Sequence, residues 1–203
     1  GGDCAGVVDA VGPDAEHFEH GQHVFGMAAG CLKHSVITDA RLLAPVPLGW
    51  SFEEACTMPT AWSTVHTCLE ELGKLQRGDR ILIHAATRDV GIVAVQYALR
   101  VGAVVYATAG RAEKQDYLRS LGVQHISSTR ACELFQLQMG QMLGASKLDL
   151  VLNSLSHDGY IPASLALLRQ GGRFQEMGKR GIWSAEEMAS ARADVVYDVI
   201  VTD

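Results

Sequence analysis

Apolar residues recur along this 203-residue chain in two different rhythms. Up to about residue 58 they come in short runs, "AGVVDAVG", "GQHVFGM" and "KHSVITDARLLAPVP", broken by Gly, Pro and Asp. That punctuation predicts a small, strongly bent β unit. "SFEEACTMP" then sets Ser51 three residues ahead of Glu54, a capping-box pattern that predicts the start of a short helix. "AWSTVHTCLEELGKL" is helical in period, and "LQRGDR" reads as a turn. Beyond it the rhythm changes to alternation. The apolar run 80–85 predicts a buried strand, "VGIVAVQYALRVG" a helix ending at Gly102, "AVVYATA" a second strand, and "RAEKQDYLRSLG" a charged helix closed by Gly122. "VQHIS" predicts a third strand, "ACELFQLQMGQMLG" a helix, "LDLVLNSL" a fourth strand, "GYIPASLALLRQGG" a helix, and "RFQEMG" a fifth strand. Strands interleaved with helices imply a parallel sheet with right-handed crossovers. The fold class is therefore α/β: a small β domain followed by a doubly wound sheet, with its ligand crevice at the carboxyl ends of the strands.

Composition changes this picture mainly by exclusion. At 48% hydrophobic content, with 21 glycines and 6% aromatics, the chain is a globular α/β protein with many tight turns. A net charge of -6 with no concentrated basic surface argues against nucleic acid. Five scattered cysteines without a C-x-x-C pair read as reduced thiols of a cytoplasmic chain. No apolar run reaches the ~18 residues of a membrane span. The chain opens on Gly1 in mid-pattern, which reads as an excised piece of a longer protein.

Candidate chemistry concentrates in "HAATRDVGIVAVQYA", residues 84–98, where a turn follows a strand and precedes a helix. Such a turn holds a pyrophosphate when small residues let the backbone approach and the helix N-terminus offers free N–H groups. Gly91 suits close helix packing, but Arg88 and Asp89 stand where small, uncharged residues are wanted. A carboxylate ~4 Å from a phosphate at an effective dielectric near 20 repels it by ~4 kcal/mol, close to a thousandfold in affinity. The loop is thus either a cofactor site, with Arg88 offsetting Asp89, or a degenerate remnant. After the second strand, Arg111 and Lys114 would favour a ribose 2′-phosphate and hence NADPH over NADH; the alternative is a solvated first helical turn. His17, His20, His23, Cys31 and His34 match no common metal-ligand frame and read as a polar turn with its surroundings. His66 and His84 lie in apolar stretches, as hydrogen-bonded buried histidines do. Ser154 lacks the flanking glycines of a nucleophile elbow, which disfavours hydrolase chemistry.

With "GGDCAGVVDAVG", "HAATRDVGIVAVQYA", "ATAGRAEKQDYLRSLGV", "DLVLNSLS" and "GGRFQEMGKR" in this order, the chain resembles the enoyl reductase domains of modular polyketide synthases and animal-type fatty acid synthases, in the zinc-free branch of the medium-chain dehydrogenase/reductase superfamily. The resemblance implies a partial GroES-like substrate domain over 1–58 and a Rossmann-type NADPH-binding domain, truncated at its C-terminus, over 59–203. It implies that Thr87, Arg88, Asp89, Val90 and Gly91 line the pyrophosphate, that Arg111, Lys114 and Arg130 surround the adenosine 2′-phosphate, and that Asn153, Ser154 and Leu155 border the nicotinamide. Thr64 joins the cofactor-binding set, and Lys179 with Asp203 forms the catalytic pair that supplies the proton. The implied reaction is NADPH-dependent reduction of an enoyl thioester held on the phosphopantetheine of an acyl carrier protein. Neighbouring synthase domains are the implied partners, and a homodimer of the parent synthase the implied assembly. The stretch "GGDC" lacks the histidine of the superfamily's zinc-binding branch, so no metal is expected. The family's usual glycines are replaced by Arg88 and Asp89, its usual serine by Arg111, and its usual acidic residue after the lysine by Gly181. A catalytically silent reductase-like domain and a quinone oxidoreductase-like enzyme are the alternatives.

Overall fold

The computed structural model describes residues 1–13, 15 and 17–200. It divides into two compact units, Gly1–Ser63 and the residues from Thr64 onward. In the first, β1 (Asp3–Val7), β2 (His23–Met27) and β3 (Leu43–Pro45) form an antiparallel sheet in that order. Val8, Phe18 and Val24 make its small core. Gly26 lies so close to the chain at Leu42 that a Cβ would collide with the Leu42 carbonyl oxygen; only glycine permits this bend. The short helix α1 (Phe52–Ala55) carries the expected capping box: Ser51 Oγ accepts from Glu54 N at 3.2 Å and Glu54 Oε2 accepts from Ser51 N at 2.9 Å.

Helix α2 (Pro59–Val65) widens into a π-helical segment, His66–Leu72. The wider turn ends in the bond from Gly73 N to Cys68 O at 3.0 Å. A Cβ at Gly73 would collide with that same carbonyl and meet Leu150 at 2.8 Å. Periodicity anticipated the helix but not its change of pitch, because packing sets the pitch. His66, expected to be buried, is half-exposed: it faces Glu70 at 3.6 Å and Glu71 at 3.8 Å.

The second unit alternates β4 (Arg80–Ile83), α3 (Asp89–Val101), β5 (Val104–Thr108), α4 (Ala112–Ser120), β6 (His125–Ser127), α5 (Cys132–Leu143), β7 (Leu148–Asn153), α6 (Tyr160–Leu167), β8 (Leu168–Glu176), α7 (Ala185–Ala191) and β9 (Val196–Val199). All pairings are parallel, in the order β6-β5-β4-β7-β8-β9. The winding direction reverses between β4 and β7, which opens the crevice at the strands' carboxyl ends. One row of the core can be followed across the sheet in register: Leu82 beside Tyr106 and Val151, then Phe174, then Tyr197. Helix α3 buries Val93, Ala94, Val95 and Ala98, and is closed by Gly102 at a φ of 86°.

The sheet has six strands among the described residues, not the five the pattern predicts. Strand β9 was missed because it is short and alternates weakly. Helix α7 was also missed, although Ser184 and Glu187 make a second complete capping box. The predicted helix from 159 to 172 stops at Leu167, and Leu168 starts β8 opposite Leu148. Leucines 165, 167 and 168 continue the helical pattern, but a register shift between Leu148 and Leu150 absorbs the surplus residues, with Gly171 at a φ of 65°.

Directly after β4, His84 is 1% exposed, its Nε2 2.8 Å from Ser164 Oγ and its Nδ1 3.3 Å from Thr108 Oγ1. It is the hydrogen-bonded core histidine that its apolar surroundings suggest. Burial pushes its pKa from 6.5 down to about 3. Its contribution to stability is fully present above pH 6.5 and is lost as pH falls toward 3, because the unfolded chain takes up a proton that the folded one refuses. The acid-side decline of the thermal midpoint therefore becomes shallower in His84→Gln; an unchanged slope between about pH 6.5 and 4 would contradict this assignment.

Candidate functional site

The turn between β4 and α3 brings the first site residues to the end of the sheet. Ala85 adopts a φ of 48°, and its N–H donates to Thr108 Oγ1 at 3.0 Å, while Ala86 N donates to Thr108 O at 3.0 Å. These bonds pin the turn to the end of β5. Gly91 is buried where α3 leaves the turn; a Cβ there would meet Ala85 O at 2.6 Å and Ala86 Cα at 2.9 Å, both backbone atoms. The N-cap residue is Arg88, whose side chain makes no cap hydrogen bond. The first-turn N–H groups of α3, which include those of Asp89, Val90 and Gly91, have no intrahelical acceptor by geometry.

Arg88 and Asp89 do not pair with each other. Both side chains are exposed, and among the described residues neither enters an ion pair. Asp89 is the first residue of α3, where a carboxylate interacts favourably with the positive end of the helix dipole. It thus competes electrostatically for the place a diphosphate would take, but as an exposed group whose field is screened.

A basic cluster forms beyond β5. Arg130 donates from Nε to Gly110 O at 2.8 Å, which draws the loop after β6 onto the loop after β5. Gly110 is tight against Thr129, whose Oγ1 would lie 2.7 Å from a Cβ. Arg111 caps α4 without a side-chain cap bond, and Lys114 follows in the first turn. Both are exposed cations, and neither joins an ion pair among the described residues.

At the ends of β7 and β8 lies a buried polar network. Asn153 and Glu176 are register partners, both 0% exposed. Asn153 Nδ2 donates to Glu176 Oε2 at 2.6 Å, and Asn153 Oδ1 accepts from Leu155 N at 3.3 Å. The other carboxylate oxygen of Glu176 accepts from Gly178 N at 2.6 Å and Ser156 Oγ at 3.2 Å. Ser154 Oγ donates to His84 O at 3.3 Å, tying the same loop to the end of β4. Burial raises the Glu176 carboxyl above its ordinary range, against the opposing pull of its three hydrogen-bond donors. The sequence reading missed Glu176, yet a signal existed: a carboxylate inside the apolar strand "RFQEMG", where a charge needs a partner.

Lys179 follows this network in the chain and is exposed. Thr64, assigned to the cofactor set, is 4% exposed in the last turn of α2. Asp203, the other half of the expected catalytic pair, lies outside the described residues. Among the described residues a metal finds no comparable donor set. Among the described residues no three His, Cys, Asp or Glu side chains converge to hold one, and the Asp3 carboxylate is engaged by Thr60 through its N–H at 3.0 Å and its hydroxyl.

A doubly wound sheet that reverses at β4 and β7, with a glycine-tight turn entering a helix, defines a Rossmann-type fold. Comparison with known proteins narrows the class. Residues 90–201 match the family described as zinc-binding dehydrogenase. The spectinabilin polyketide synthase system protein NorB of Streptomyces orinoci is 45% identical over 199 residues; the alignment takes in 97% of this chain but 9% of NorB. The crystal structure of CurK enoyl reductase superposes with a TM-score of 0.93 at 38% identity, covering 98% of this chain and 60% of that one. A mycobacterial protein, Rv1454c, in complex with NADPH gives a TM-score of 0.86 at 25% identity, over 99% of this chain and 64% of that one. The chain belongs to the zinc-binding dehydrogenase family, in the medium-chain dehydrogenase/reductase superfamily, as an enoyl reductase domain of the polyketide synthase kind.

Proposed function

We propose that this domain binds NADPH and reduces the α,β double bond of an enoyl thioester carried by an acyl carrier protein within a multidomain synthase. The observation that carries this reading is the convergence at the strand ends of a glycine-tight turn at Gly91, the cations Arg111, Lys114 and Arg130, and the bonded Asn153–Leu155 loop. The residues present fit the dinucleotide: Gly91 lets the first turn of α3 pack directly on the Ala85–Ala86 backbone at the end of the sheet, and the Asp89 side chain is exposed. NADPH, when bound, supplies the hydride. The first turn of α3 would receive the diphosphate, and the three cations the 2′-phosphate, which no NADH carries. Asn153, Ser154 and Leu155 would border the nicotinamide end. Lys179 would hold the proton that the α-carbon of the substrate takes up, with Asp203 as its companion. The identity of the family and the NADPH-bound state of Rv1454c support this reading.

Titration of NADPH by fluorescence tests it. The unaltered protein is expected to bind, NADH more weakly, and Asp89→Asn to tighten NADPH binding by about tenfold at low salt and by less at high salt, where the exposed carboxylate is screened. Binding that appears only after Arg88→Gly and Asp89→Gly are combined would leave the loop a remnant and favour a catalytically silent domain.

A further inference from the structure

We propose that Glu176 is a positioning residue of the reductase site, whose carboxylate latches the loop after β7 to the loop after β8 and so sets the backbone on which Leu155 and Lys179 stand. Its consequence for catalysis rests on the reductase reading above; the latch itself does not.

The geometry is that of a clamp. One oxygen takes Asn153 Nδ2 from β7, and the other takes Gly178 N from its own strand's end together with Ser156 Oγ from the opposite loop. A Cβ at Gly178 would push the clamp itself aside, since it would run into Ser156 Oγ and meet Glu176 Oε1 at 2.7 Å. Asn153 has no freedom to turn its amide, because its oxygen already accepts from Leu155 N. The partners of the carboxylate are therefore the last residue of β7, the loop that follows it, which is assigned to the nicotinamide end, and the loop that presents Lys179. Stability alone does not call for such an arrangement. A buried charge is often replaced by apolar groups without loss, whereas removing one partner of it is costly. What the charge adds is direction: three donors aimed at two oxygens fix two loops relative to each other. Glu176 is wholly buried, so it orients and does not exchange protons with substrate.

Glu176→Gln replaces one acceptor oxygen by a donor that faces either Asn153 Nδ2 or Gly178 N. Combining it with Asn153→Asp reverses the polarity: the new carboxylate at 153 accepts from Leu155 N and from the new amide at 176, whose oxygen keeps Gly178 N and the Ser156 hydroxyl. Amide hydrogen exchange at Leu155 and Gly178, measured by NMR on the nucleotide-free chain, reads the latch directly. The single variant is expected to speed exchange at both amides by about tenfold or more, and the double variant to return both toward the original rates. With NADPH and a crotonyl thioester, kcat is expected to fall about tenfold in the single variant with KM for the thioester nearly unchanged, and to recover in the double. Unchanged exchange in the single variant, or no recovery in the double, overturns the latch. Should the single variant fail to fold, the double carries the test, and its failure to fold also overturns the latch. Absence of NADPH-dependent reduction by the unaltered protein would instead sink the reductase reading, leaving exchange to decide the latch.

Discussion

Lys179→Met is expected to lower kcat for NADPH-dependent reduction of a crotonyl thioester by about a hundredfold or more, with the NADPH dissociation constant changed by less than about threefold. A positioned general acid contributes roughly 10²- to 10⁴-fold. Met keeps the length of the side-chain stem but cannot donate a proton. Lys179 is exposed, so the substitution leaves the core of the sheet intact and its effect reports on chemistry. Steady-state kinetics in H2O and D2O separate the outcomes: in the variant, proton delivery becomes slower and kcat falls while binding persists. A kcat unchanged from the original would remove Lys179 from the reaction.

Gly91→Ala should act on the fold and on the nucleotide together. The added Cβ would press on Ala85 O at 2.6 Å, Ala86 Cα at 2.9 Å and Ala86 C at 3.0 Å, all backbone atoms of a turn already pinned to Thr108. Nothing at that contact is the flexible end of a side chain, so α3 must shift away from the turn. Overpacking of this kind costs roughly 1–3 kcal/mol, which lowers the thermal midpoint of a chain of this size by about 5 °C. Because the same shift moves the first-turn N–H groups, NADPH affinity should fall at least about tenfold. Differential scanning fluorimetry with and without NADPH measures both effects. A variant with unaltered midpoint and affinity would show that the turn is not the tight cradle the structure describes.

The two substitutions bracket how much could be read in advance. Gly91 stood out in the sequence because strand, turn and helix are adjacent along the chain, and its requirement for glycine is local. Lys179 emerged only by resemblance, since a lysine after "EMG" looks like any surface lysine. Arg88 and Asp89 show the opposite limit. Their conflict with a phosphate was plain, but whether Arg88 offsets Asp89 in a cofactor site or the loop is a remnant was not written in the sequence; the fold adds that both side chains are exposed. Their energetic weight depends on screening and orientation, which composition does not contain. Glu176 was overlooked because an isolated Glu in an apolar strand gains meaning only when its partner is known, and Asn153 lies 23 residues earlier.

By itself the sequence determined most of the elements and their order: alternating apolar strands and helices, the glycine that closes α3, the capping box at Ser51 and the turn that enters α3. Those rest on short-range rules, in which backbone geometry and solvent answer to a few neighbouring residues. The tertiary structure alone decided which strands lie side by side, that β9 completes the sheet, where α6 yields to β8, and that Asn153, Ser156, Glu176 and Gly178 share one buried carboxylate. The reason is that the cost of burying a charge, and the bonds that offset it, are set by groups that only the packed sheet brings together.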